Sequence, residues 1–161
     1  MVYFWLAKPT ASSIVIGACI AAFGLLIRAL ASGHVRKDEQ LTTSGPYAYM
    51  RNPLYFGSIL MAAGFAAAGR NWWIVLLLVV MFAIIYIPTI RSEEAFLRAT
   101  FPEFEQYSRN VPRFFPRLTA FGDRRGAFSW ELYGKHREYN AILGTAAMLA
   151  ALAAKLLWWP K

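Results

Sequence analysis

The chain has 161 residues, of which 58% are hydrophobic and only 16% are charged. A soluble domain carries about 45–50% apolar and about 25% charged residues, so this composition points to lipid and against a soluble nucleotide-binding enzyme. The net charge of +8 comes without a basic arm or an aromatic RNA-binding motif, and we expect no nucleic-acid partner. The basic residues stand beside apolar segments, which is typical of a membrane protein.

Four apolar segments have the length, or nearly the length, of about 20 residues that a helix needs to cross a bilayer. The first contains IVIGACIAAFGLLI, and we interpret it as a retained helix rather than a cleaved signal peptide. The second is rich in Ala and Gly, and only Arg70 and Asn71 separate it from the third. So short a connection predicts an antiparallel hairpin that packs closely through small residues. The predicted spans are residues 12–32, 54–69, 72–90 and 139–159.

Lys and Arg are concentrated in two polar segments, residues 33–53 and 91–138. By the positive-inside rule both segments are cytoplasmic and both termini lie on the opposite side. Apolar residues from Phe96 to Tyr107 have the spacing of a helix on the membrane surface, and Pro102 marks a break or a new helix start. The sequence therefore predicts an all-α, multi-pass integral membrane protein, a single domain over residues 1–161 with about four transmembrane helices, cytoplasmic loops and a short surface helix.

Three clusters in these segments carry most of the polar side chains. Residues 45–57, GPYAYMRNPLYFG, place turns at the start of the second span, where exposed amide N–H groups favour an anion. Glu93 and Glu94 follow the third span as either solvated helix charges or functional acids between helices. Residues 111–117 contain two prolines and fit an interfacial anchor with arginines at lipid head groups. Aromatic side chains in the first cluster fit a membrane belt equally well.

No metal site is expected from the sequence. His34 and His136 have no partner ligands at metal spacing, and Cys19 is the single cysteine. The chain also has no catalytic triad arrangement, P-loop or dinucleotide fingerprint.

The ordered clusters resemble the isoprenylcysteine carboxyl methyltransferase family and its relatives, the membrane phospholipid methyltransferases. The resemblance covers residues 39–116, about half of the chain. It rests on Gly45-Pro46-Tyr47, then Arg51-Asn52-Pro53-Leu54-Tyr55-Phe56-Gly57, then Glu93-Glu94 with Leu97, Phe101 and Tyr107, then Val111-Pro112-Arg113.

The resemblance implies S-adenosylmethionine as the methyl donor, bound at the cytoplasmic face by the loop before the Arg-Asn-Pro motif, by that motif and by the acid after the hairpin. The short surface helix completes this site. The implied cofactor contacts are Glu39, Gln40, Leu41, Thr42, Tyr47, Asn52, Pro53, Leu54, Tyr55 and Glu93.

Two positions depart from the family pattern. Asn52 stands where many members have histidine, and asparagine forms hydrogen bonds but cannot act as a cation or a base. The prenylcysteine enzymes carry a substrate-binding arginine four residues before the first acid, where this chain has Thr89.

The predicted catalytic residues are Arg91, Glu94 and Arg113. Methyl transfer is a direct displacement, which requires the two reactants to be held in line. A carboxylate acceptor needs a cation such as Arg91 or Arg113, whereas an amine acceptor must lose a proton, for which Glu94 or Glu93 is the candidate base. Carboxyl O-methylation and phospholipid amine N-methylation of a lipid-like or prenylated substrate therefore both stay open. The rival class is a non-catalytic membrane scaffold or transporter subunit whose basic loops bind membrane lipids.

Overall fold

The computed structural model describes residues 2–36, 40–122 and 126–158. These ranges contain helices and no strands, which confirms the predicted all-α fold. A 3₁₀ turn at Gly45–Ala48 lies in the first polar segment. In chain order the helices are α1 (Val2–Leu6), α2 (Ala11–Ser32), α3 (Pro53–Gly69), α4 (Trp72–Thr100), α5 (Phe104–Asn110), α6 (Trp130–Lys135) and α7 (Tyr139–Trp158).

Three helices are long and apolar enough to cross a membrane: α2 with 22 residues, α4 with 29 and α7 with 20. The predicted second span corresponds to α3, an apolar helix of 17 residues that rises about 25 Å at about 1.5 Å per residue. Large apolar side chains of α4 and α7, among them Leu76, Val79 and Leu143, are exposed, as in helices that face lipid. The helices are those of an integral membrane protein.

Helices α2 and α3 approach each other through glycines. A Cβ atom at Gly24 would lie 2.5 Å from the carbonyl oxygen of Gly57, and one at Gly64 would lie 2.5 Å from that of Gly17. In each helix the two glycines are seven residues apart, so they share one face. The sequence suggested that the small residues of α3 pack within the hairpin with α4. Gly57 and Gly64 contact α2, which carries glycines in the matching register, whereas Gly69 lies against Ile74 of α4.

The third span was predicted to end at Ile90, but helix α4 continues to Thr100. Pro88 lies inside it and has no N–H to donate to the preceding turn. A π turn at Phe82–Tyr86 precedes Pro88 and accommodates the altered hydrogen bonding. Residues 93–100 therefore continue α4 instead of lying in a separate surface helix. The predicted break at Pro102 is confirmed, and α5 follows it as a short helix.

The N-terminal residues pack at the end of the bundle away from the long loops. The Tyr3 hydroxyl donates to the carbonyl oxygen of Phe65 at 2.8 Å. Lys155 of α7 donates from Nζ to the carbonyl oxygens of Phe4 at 2.5 Å and Ala7 at 2.8 Å. These contacts satisfy carbonyl groups at the end of α1 and leave the opposite end of the bundle to the polar segments.

Candidate active site

The two long polar segments meet at one end of the bundle. The Arg51 N–H donates to the carbonyl oxygen of Pro112 at 2.9 Å. The Tyr107 hydroxyl of α5 donates to the carbonyl oxygen of Tyr47 at 2.8 Å. Together the segments form a roof over the ends of the membrane helices.

Buried aromatic residues hold this roof in place. Phe104, Tyr107 and Val111 form a buried cluster against which Leu41 packs. Burial raises the pKa of the Tyr107 and Tyr47 phenols above their ordinary value of 10.0. Both phenols therefore stay neutral at physiological pH, and Tyr107 remains a hydrogen-bond donor.

A cavity of about 500 Å³ lies under the roof, within the range of about 300–1,000 Å³ that is typical of small-molecule sites. Pro53 is buried at the start of α3 and does not line the cavity, and Glu39 lies outside the described residues. The other residues of the implied cofactor set line it: Gln40, Leu41, Thr42, Tyr47, Asn52, Leu54, Tyr55 and Glu93.

The N-terminus of α3 opens on this cavity. Asn52 is the N-cap residue, but its side chain forms no capping hydrogen bond. Its Nδ2 donates instead to Glu94 Oε1 at 3.3 Å and to the carbonyl oxygen of Arg113 at 3.2 Å. Leu54 and Tyr55 line the cavity in the first turn of the helix, where backbone N–H groups have no partner within the helix. The cavity therefore contains donors for an anionic group.

Glu94 is 8% exposed and forms the centre of an ion-pair cluster. Arg113 donates to its two carboxylate oxygens from Nη2 at 2.5 Å and from Nε at 3.1 Å. Arg51 Nη1 lies 3.5 Å from Glu94 Oε1. The hydrogen bond from Arg113 to the carboxylate raises the pKa of that guanidinium.

The predicted catalytic roles of Glu94 and Arg113 stay predictions, and the structure gives the surroundings of both side chains. The Glu94 carboxylate lines the cavity and is contacted by two guanidinium groups and an amide. Arg113 is bound to Glu94 and does not line the cavity. Glu94 and Arg113 join α4 to the two loops of the roof.

Arg91 and Glu93 have different surroundings although both belong to α4. Glu93 lines the cavity, as does Tyr55. Arg91 is exposed and does not line the cavity, because two residues correspond to about 200° of rotation around a helix. Its predicted role in orienting a carboxylate stays a prediction. Thr89 is also exposed, and its hydroxyl donates to the carbonyl oxygen of Ile85 at 2.7 Å.

A second ion pair lies in the cavity wall, between α2 and the start of α7. Arg28 donates from Nη2 and Nε to the two carboxylate oxygens of Glu138 at 2.7 and 3.0 Å. Its Nη1 donates to the Ser58 hydroxyl at 2.5 Å and to the carbonyl oxygen of Leu54 at 3.3 Å. Arg28 is not among the residues predicted for the site, although an arginine inside an apolar span is a signal, since charge at membrane depth is costly.

Comparison with known proteins gives a family match and several curated relatives. The profile of the phospholipid methyltransferase family matches residues 13–103, more than half of the chain. The cobalt-zinc-cadmium resistance protein CzcN of Cupriavidus metallidurans is 37% identical over 130 residues, which cover 80% of this chain and 58% of that protein. The nickel-cobalt-cadmium resistance protein NccN of Alcaligenes xylosoxydans is 37% identical over 118 residues, covering 73% of this chain and 54% of that protein.

A third relative is the protein-S-isoprenylcysteine O-methyltransferase of Schizosaccharomyces pombe, 36% identical over 81 residues that cover 50% of this chain and 34% of that protein. The chain thus spans little more than half the length of the two metal-resistance proteins. No solved structure gives a significant match. The matched region includes both the Arg-Asn-Pro motif before α3 and the Glu93-Glu94 pair of α4, and the chain belongs to the phospholipid methyltransferase family.

Proposed function

We propose that this protein is an S-adenosylmethionine-dependent methyltransferase of the membrane that acts on a lipid-like acceptor. One observation carries the proposal. Eight of the ten residues in the implied cofactor set line a single cavity in a chain of this family. The cavity has the size of a small-molecule site and lies where the loops meet the membrane helices.

The cavity residues match the parts of this cofactor. In the described part of the chain the Glu93 carboxylate forms no ion pair, so it is available to the cofactor ammonium. The backbone N–H groups of Leu54 and Tyr55 suit a carboxylate. Phe96 and Leu97 supply aromatic and apolar surface for a purine ring.

Arg51 supplies a further donor for an anionic group. Its side chain lines the cavity, and its Nε is buried without a hydrogen-bond partner among the described residues. A buried unpaired donor costs about 1–3 kcal/mol, which a hydrogen bond to a bound anion would recover. We therefore include Arg51 in the proposed cofactor site.

The cofactor, when bound, supplies an electrophilic methyl group that a nucleophilic atom of the acceptor takes up directly. The protein has to hold the acceptor in line with that group and exclude water. The cavity lies between a roof of loops and the membrane helices, a position that suits a water-soluble donor and a membrane-embedded acceptor. Membrane lipids and prenylated small molecules are the proposed acceptor class, which includes both carboxyl O-methylation and phospholipid amine N-methylation.

The proposed orientation places this site at the cytoplasmic face and both termini on the opposite side. The positive-inside rule supports it, because arginines accumulate at the roof end of the bundle. Those in the described residues include Arg36, Arg51, Arg91, Arg98, Arg109, Arg113 and Arg117.

Calorimetric titration of S-adenosylmethionine and S-adenosylhomocysteine into the protein in lipid nanodiscs tests the cofactor assignment. We expect saturable binding to the wild type and to the control Glu131→Gln, an exposed acid of α6. Glu93→Gln should weaken S-adenosylmethionine binding by about tenfold or more, since a charged hydrogen bond is worth about 1.5–3 kcal/mol. Absence of saturable binding by the folded wild type would overturn the proposal.

A further inference from the structure

We propose that Arg28 binds an anionic head group of the acceptor and that Glu138 is the resident counter-ion which this head group displaces. The inference rests on the proposed methyltransferase function. The inference adds to that function a charged group on the acceptor, either a carboxylate or a phosphate, which the protein recognises.

The position of Arg28 fits contact with a membrane-embedded molecule. It lies four residues before the end of α2, which is about 6 Å along the helix axis. Its side chain is 22% exposed and lines the cavity. Ionisable side chains at membrane depth are costly, occur in pairs and mark functional sites.

The geometry around Arg28 is that of an occupied anion site. Glu138 presents two oxygens to Nη2 and Nε, the bidentate arrangement that arginine also forms with phosphates and substrate carboxylates. Separate contacts from Nη1 to Ser58 and Leu54 hold the guanidinium against α3. The cation therefore keeps contacts that hold it in place when the Glu138 carboxylate leaves.

The other cations near the cavity are differently placed. Arg51 belongs to the proposed cofactor site, and Arg36 belongs to an exposed loop. Arg91 does not line the cavity. Arg28 is therefore the arginine whose position in a membrane helix suits the head group of a molecule that enters from the bilayer.

The test measures binding of labelled palmitate and lysophosphatidic acid to the protein in phosphatidylcholine nanodiscs, with S-adenosylhomocysteine present. Methyl palmitate is the neutral competitor. Palmitate binding alone assigns a carboxylate to the site, lysophosphatidic acid binding alone assigns a phosphate, and binding of both assigns an anion site of broader specificity. Failure of both anions to bind, or equal competition by methyl palmitate, would overturn the proposal.

Variants of the two residues should change probe binding in opposite directions. Glu138→Gln should tighten binding of the anionic probe by about tenfold, since the competing carboxylate is removed. Arg28→Met should weaken it by about tenfold or more, and Arg28→Lys should retain part of the affinity because it keeps the charge without the planar fork. A purely structural ion pair predicts the reverse for Glu138→Gln, a loss of affinity together with stability. Unchanged or weaker binding by Glu138→Gln would therefore contradict the inference.

The matched control is Glu105→Gln, which removes an acid from exposed ion pairs on α5 and should leave probe binding unchanged. Calorimetry with S-adenosylhomocysteine on the same samples separates the two proposals and reports folding. A wild type that does not bind S-adenosylhomocysteine contradicts the proposed function. Normal S-adenosylhomocysteine binding without the expected effect of Glu138→Gln overturns the acceptor site alone. If Arg28→Met does not fold, Arg28→Lys and Glu138→Gln still decide the matter.

Discussion

Of the two adjacent acids of α4, Glu93 and Glu94, only Glu94 is buried among cations. Glu94→Gln removes the counter-ion of Arg51 and Arg113 and should lower the free energy of unfolding by about 3 kcal/mol. Glu105→Gln is the matched control, since its ion-pair partners and its own side chain are more than half exposed. It should change stability by less than about 1 kcal/mol. Unfolding followed by circular dichroism measures both, and equal losses would contradict the assignment.

The buried phenol of Tyr107 should make the free energy of unfolding decrease at alkaline pH. Its pKa is raised in the folded state above the ordinary value of 10.0, so its stabilising contribution is present below pH 10 and is lost as the pH rises further. Tyr107→Phe should cost about 1 kcal/mol at neutral pH through the lost hydrogen bond to Tyr47. The variant should also lose less stability than the wild type above pH 10. Parallel curves of unfolding free energy against pH would count against this explanation.

At the scale of elements, the contact between α2 and α3 depends on glycine. Gly24→Ala places a Cβ atom 2.5 Å from the carbonyl oxygen of Gly57 and should destabilise the protein by about 1–3 kcal/mol. A Cβ atom at Gly144 of α7 meets nothing within 4 Å, so Gly144→Ala should be neutral or stabilising by up to about 1 kcal/mol. Thermal unfolding of the two variants in the same nanodiscs makes the comparison. Similar destabilisation by both would show that the glycine contact does not hold the helices together.

The elements themselves were largely predictable from the sequence. Apolar runs mark the membrane helices because a bilayer fixes their length, and Pro53 and Pro102 mark a helix start and a break. The partners of the elements were not predictable in this way. Gly24 and Gly57 meet only because two separate helices cross in one register. Continuation of α4 to Thr100 depends on a π turn that the hydrophobic pattern of the sequence does not predict.

The candidate site shows the same division. The resemblance to the family names its motif residues, such as Tyr55 and Glu93, because the family motifs are short runs around one helix start and one helix turn. The surroundings of Glu94 and Arg113 depended on side-chain contacts across the roof. Arg28 and Glu138 are 110 residues apart in the chain, so their contact follows from the packing of α2 beside α7.

At the scale of the whole molecule, the proposed topology predicts which surfaces are reachable from outside a cell. In a Cys19→Ser background, Lys8→Cys and Arg109→Cys place single thiols at exposed positions at opposite ends of the bundle. A membrane-impermeant maleimide should label Lys8→Cys on intact spheroplasts of a bacterial host and label Arg109→Cys only after permeabilisation. The reverse pattern would place the cavity on the outer side of the membrane.

The most direct single measurement is transfer of a labelled methyl group in proteoliposomes made from a bacterial lipid extract. S-adenosyl-[methyl-¹⁴C]methionine is supplied to the protein, and label is counted in the organic phase. The wild type is predicted to transfer label to extractable lipid. At limiting cofactor, Glu93→Gln should reduce this transfer by about tenfold or more. Folded wild-type protein that binds the cofactor but never moves label into the organic phase would contradict a methyltransferase acting on membrane lipid.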